Sequence, residues 1–135
     1  MNSNNALLST LFCFMLILNS CTSEAQQTAN LNATPVSTEV IQFHSEHRCM
    51  TCNKIETLTK ETLKAYPSIP FSLVNVDDVK NEKKAEQFQA TGTALFLYDA
   101  KTGKMQELTD FAFMNAGNED KFKAELKKKI DAFLK

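Results

Sequence analysis

Cys49-Met50-Thr51-Cys52 places two thiols three positions apart, and the chemistry of the chain begins there. If a helix opens at Met50, both sulfurs fall on its first turn, close enough to form a small disulfide ring with little strain. The first sulfur then meets unpaired N–H groups and the positive end of the helix. Both favour thiolate over thiol, so a depressed pKa is expected at Cys49. Arg48 adds fixed positive charge beside it and His47 adds more below neutrality, which makes both expected tuners of the thiolate. Cys52, a turn further in, is expected to be less exposed and to resolve a mixed disulfide held on Cys49.

The same stretch reads H-x2-H-x-C-x2-C. His44, His47, Cys49 and Cys52 supply four soft or borderline donors that suit Cu(I), Zn or a thiophilic metalloid such as arsenic. A third possibility is an inert structural bridge in a non-catalytic module. No second CxxC completes a metal site, and a domain of nearly 100 residues can build a core without a staple. Dithiol exchange is therefore the leading reading, with the other two left open.

The remaining cysteines belong to a different kind of segment. Residues 1–20 carry no Lys, Arg, Asp or Glu, and Ala6 to Leu18 is an apolar run of signal-peptide length, too short to span a ~30 Å hydrocarbon core. Leu18-Asn19-Ser20-Cys21 resembles a bacterial lipobox, although Asn19 is larger than usual and the leading MNSNN has no basic residue. The resemblance implies cleavage before Cys21, diacylation of its sulfur and loss of Cys13 with the signal. The product would be a lipid-anchored protein facing the periplasm, with Thr22 leaning toward the outer membrane. Only Cys49 and Cys52 would remain as thiols, in a compartment where disulfides persist. Residues 21–37 follow as the lipidated Cys and a flexible polar linker, and residues 38–135 as one domain. With 15 Lys+Arg against 16 Asp+Glu, the chain lacks the cationic excess that nucleic-acid binding needs.

Within the domain, Val40 to Phe43 reads as a strand and Met50 to Tyr66 as a helix with Ile55, Leu58, Thr62, Leu63 and Tyr66 on one face. Pro67 and Pro70 end it. Phe71 to Val76 reads as a second strand, Asp78 caps a polar helix running to Phe88, and Ala94 to Tyr98 reads as a buried central strand. Gly103 supplies positive φ in a turn at 99–104, and Met105 to Phe113 is expected to hold a returning edge strand. Asn118 caps a last helix whose apolar stripe is Phe122, Leu126, Ile130 and Phe133. The order predicts a mixed α/β sheet with helices on both faces.

A CxxC opening the first helix of such a βαβαββα chain resembles the thioredoxin fold over nearly all of 38–135. The lipobox followed by CMTCNKIE resembles, more narrowly, the thioredoxin-like lipoproteins of the ArsF (nitroreductase subunit) type. The family resemblance implies dithiol–disulfide exchange with Cys49 as nucleophile and Cys52 as resolver, and no cofactor beyond the redox-active disulfide. Exported protein thiols or another redox module would be its partners. The chain departs from the pattern in three places. Arg48 replaces the Trp before the first Cys, Phe43 stands where the family has a buried Asp, and Thr93 after Gly92 stands where it has a cis-proline. Thr93 is expected to be trans, and Gly92 and Thr93 to line the substrate groove.

Overall fold

The computed structural model describes residues 37–135. The signal segment 1–20, the lipidation residue Cys21 and the linker as far as residue 36 lie outside the described residues.

Among the described residues, four strands and four helices follow the polar and apolar periods of the sequence. They are β1 (Thr38–His44), α1 (Met50–Leu63), β2 (Phe71–Asn75), α2 (Glu82–Phe88), β3 (Ala94–Asp99), β4 (Met105–Glu107), α3 (Thr109–Asn115) and α4 (Glu119–Phe133). The sheet order is β2-β1-β3-β4. β1 runs parallel to β2, with Val40 opposite Phe71, as expected for two strands joined through a helix. β3 is antiparallel to β1, pairing Thr38 with Asp99 and Phe43 with Ala94, and β4 is antiparallel to β3. This is a thioredoxin-like α/β fold.

Alternation along β1 divides the core in two. Val40, with Leu95 and Leu97 of β3, packs against Ile55 and Leu58 of α1 and the Phe122, Leu126 and Ile130 stripe of α4. Ile41 and Phe43 point the other way, toward Ala85 and Phe88 of α2. On that face Phe43, Phe88 and Phe96 meet at centroid separations of 5.1–5.8 Å, in tilted and edge-on pairs. Caps form where the sequence places them. Asp78 accepts from the Lys80 N–H at a short 3₁₀ turn, Val79–Asn81, that leads into α2. Asn118 accepts from the Lys121 N–H at the start of α4. Gly103 has φ +72° in the β3–β4 turn, where the Asp99 carboxylate accepts from the Lys101 and Thr102 N–H groups.

One element differs from expectation. The returning strand stops at Glu107, and residues Thr109–Asn115 form a helix instead of extending the edge. The ladder is closed by Leu108, whose N–H reaches Leu95 O at 2.7 Å, and by the Thr109 hydroxyl, which accepts the Leu95 N–H at 3.2 Å. With those groups satisfied, Leu108, Ala112 and Ala116 are buried at a spacing of four, the period of a helix rather than a strand. Among the described residues no helix is long and apolar enough to cross a membrane.

Candidate functional site

The site sits where β1 hands over to α1, at the carboxyl end of the parallel pair. The connecting loop is pinned across the sheet: the Glu46 N–H donates to the Asp77 carboxylate at 2.8 Å, and the Val76 N–H donates to His44 O at 2.8 Å. Cys49 is the residue just outside α1. Its backbone is extended (φ −77°, ψ 165°) and its sulfur accepts the Cys52 N–H at 3.2 Å. The side chain thus takes the place of the Ser or Asp oxygen that usually caps a helix. Cys49 is exposed, whereas Cys52 is 5% exposed. Their Cα atoms are 5.2 Å apart and the sulfurs are at disulfide distance. The pairing of an outer capping sulfur with an inner buried one matches the division expected from the spacing.

Arg48 is half-buried, and its Nη1 lies 2.6 Å from a Glu56 carboxylate oxygen, with Lys60 on the other oxygen. Burial pushes the Glu56 pKa up, but the hydrogen bonds from Lys60 and Arg48 outweigh it and hold the carboxyl below its usual 4.5. Glu56 is therefore ionised at neutral pH, and it cancels much of the Arg48 field that was expected to act on Cys49. His47 is exposed. His44 is half-buried at the end of β1, its Nδ1 2.8 Å from Ser45 O. The four-donor set His44, His47, Cys49 and Cys52 is not assembled. Among the described residues no three His, Cys, Asp or Glu side chains converge on one point. The physical reason is that His44 ends a sheet strand and is engaged with backbone, while His47 projects outward from the loop.

Two residues beneath the inner sulfur complete the site. All peptide bonds of the described chain are trans, Thr93 included, and the Thr93 hydroxyl is 3.1 Å from Cys52 Sγ. Gln42 is fully buried on the α1 side of β1. Its Nε2 donates to Cys52 O at 3.0 Å, and its Oε1 has no partner. Phe43, placed by alignment at the family's buried acid, faces the opposite side of the sheet. The residue under the dithiol is thus Gln42, one position earlier. Strand alternation settles this, and the sequence signal that marks it is a single polar residue inside the apolar run Val40 to Phe43. Beside the outer sulfur, Met50, Thr51, Lys54, Phe113, Ala116 and Gly117 line a groove of about 360 Å³. Gly92 and Thr93 are not part of its wall. Phe113 reaches the groove because α3 replaces the expected strand, so sequence reasoning missed it.

No known family model matches the chain, and no curated protein matches it. Solved structures do. A thioredoxin from Fasciola hepatica is 24% identical, with 51% of this chain and 62% of that one covered and a TM-score of 0.41; the chain thus spans less than two thirds of that protein. A malarial protein is 22% identical, with 58% and 93% covered and a TM-score of 0.41. Thioredoxin f2 of Chlamydomonas reinhardtii is 18% identical, with 66% and 86% covered and a TM-score of 0.44.

Proposed function

We propose that the chain is a membrane-anchored thiol–disulfide oxidoreductase that works through Cys49 and Cys52. One observation carries the reading: an exposed sulfur caps α1 and accepts the Cys52 N–H, while its partner sulfur is buried within bonding distance. In the dithiol state the Cys49 thiolate attacks a substrate disulfide and expels one of its thiolates. Cys52 then attacks Cys49 Sγ, releases the second substrate thiolate and closes the Cys49–Cys52 disulfide. Run in reverse, the same steps oxidise a substrate dithiol. The helix N-terminus supplies the positive potential that keeps the attacking sulfur ionised. Arg48 contributes less, being paired with Glu56.

Substrates on this reading are cysteines of exported proteins or of a second redox module. They dock over the exposed Cys49 and the apolar groove beside it, with Gly92 and Thr93 lining the other flank. The uncharged, largely apolar run from Ala6 to Leu18 and the Leu18-Asn19-Ser20-Cys21 that ends it support an acylated Cys21 holding the domain on the periplasmic side of a bacterial envelope membrane. The lipobox with CMTCNKIE also supports kinship with the ArsF-type thioredoxin-like lipoproteins. The test is trapping. A Cys52→Ala variant should accumulate mixed disulfides through Cys49 when expressed in the envelope, and a variant lacking both thiols should not. A Cys52→Ala protein that captures nothing counts against exchange. Mass spectrometry of the mature protein should find an acylated N-terminal Cys21, and an unmodified terminus there would remove the anchor.

A further inference from the structure

The inner sulfur has a dedicated hydroxyl. Cys52 is 5% exposed, so little water reaches its sulfur, yet one half of every exchange cycle makes that sulfur a leaving group. A thiolate generated in such a place needs a donor, because an unpaired buried charge is costly. The Cys52 N–H is already taken by Cys49 Sγ, and Cys52 O accepts from Gln42. The Thr93 hydroxyl, 3.1 Å away, is directed at Cys52 Sγ itself. A hydroxyl both donates and accepts, which a proline at this position could not do.

We propose that Thr93 is a catalytic residue that serves the charge on Cys52 Sγ, a role that rests on the exchange reading above. When an external thiolate attacks Cys49 Sγ, a new S–S bond forms and the Cys49–Cys52 bond breaks. The bonding electron pair goes to Cys52 Sγ, and the Thr93 O–H donates to that thiolate as it forms. Once Cys52 has taken a proton from solvent, the same hydroxyl accepts from its S–H. In the return step Cys52 gives its proton to solvent, attacks Cys49 Sγ under the same donor, and the departing thiolate is protonated in turn. No oxidant or reductant beyond the exchanging thiols and disulfides is consumed. Thr93 is neutral, as is Gln42 on the Cys52 carbonyl, so the inner sulfur meets a hydroxyl rather than an ionisable acid.

The test compares Thr93→Val, which keeps the shape and loses the hydroxyl, with Thr93→Ser, which keeps the hydroxyl. Oxidised protein is mixed with excess glutathione, quenched in acid, and the open form is counted by mass spectrometry. Hydrogen bonds to charged groups are strong enough that Thr93→Val should open about tenfold more slowly, with Thr93→Ser within about threefold of the parent. A second readout separates this role from general damage. Alkylation of Cys49 by iodoacetamide in the reduced protein involves no departure of Cys52, and its rate should be the same in all three proteins. Equal opening rates in Thr93→Val and the parent would overturn the assignment. So would an equal loss in both opening and alkylation. Opening by glutathione requires only the disulfide itself, so a failure of trapping in Cys52→Ala would strike the physiological exchange reading and leave this measurement interpretable.

Discussion

Replacing Cys49 by Ala and by Ser isolates what its side chain does for α1. Both variants lack the disulfide, so their comparison is free of any ring-closure effect. The Cys49 sulfur accepts the Cys52 N–H at 3.2 Å from an extended N-cap residue. Ser retains an acceptor in nearly the same place, whereas Ala leaves that N–H to solvent. A lost cap costs about 1 kcal/mol, within a range of roughly 0.5–2. Cys49 is exposed and water can replace part of the bond, so the lower half of that range applies, about 0.5–1 kcal/mol. In a domain of about 100 residues each kcal/mol moves Tm by roughly 4–8 °C, which puts Cys49→Ala about 2–8 °C below Cys49→Ser. Circular dichroism melts in reducing buffer measure the difference directly. If the two variants melt together, the side chain at 49 does not cap the helix, and the electrostatic source of an ionised sulfur goes with it.

Buried polar groups without partners give the next expectation. Gln42→Leu removes one hydrogen bond and one orphaned buried oxygen, two effects that nearly cancel, so its stability should stay within about 1 kcal/mol of the parent. A loss of several kcal/mol in chemical denaturation would mean that Gln42 Oε1 has a partner after all. Thr59 is fully buried with an unpartnered hydroxyl, and the isosteric Thr59→Val should raise stability by about 1 kcal/mol; a lower melting temperature would contradict this. Tyr66 ties α1's end to α4, its hydroxyl donating to Asp131 at 2.7 Å. Burial and the Asp131 carboxylate push its pKa from 10.0 up to about 12. Because the folded value is raised, the stability linked to Tyr66 is complete below pH 10 and drains away as pH rises to about 12. Phenolate absorbance should show a late step that Tyr66→Phe abolishes, and a late step that survives the substitution refutes the assignment.

Local signals placed most of the site in advance. A capping residue, a helix start or an amphipathic stripe is decided by neighbours three or four positions away, so Cys49 at the head of α1, Asp78, Asn118 and the Phe122–Phe133 stripe were legible in the chain. Exposure of Cys49 and burial of Cys52 followed from the same one-turn spacing. The stretch after β4 was not legible in that way. Leu108, Ala112 and Ala116 carry a helical period, but Thr109, Phe111 and Phe113 at a spacing of two also suit a strand, and the choice was made by Thr109 closing the ladder at Leu95 across the sheet.

The sequence by itself determined a CxxC at a strand–helix junction and the alternation of elements around it, because both are properties of short windows. Tertiary structure alone decided which polar groups surround the dithiol. Strand register put Gln42, not Phe43, under Cys52; the β3 entry brought the Thr93 hydroxyl to Cys52 Sγ across 41 residues of chain; and Glu56 neutralised the Arg48 charge that adjacency had assigned to Cys49. The reason is one of range. Period and capping are set by backbone geometry over a single turn, while hydrogen bonds and ion pairs at a buried sulfur depend on which faces of distant elements are packed against it.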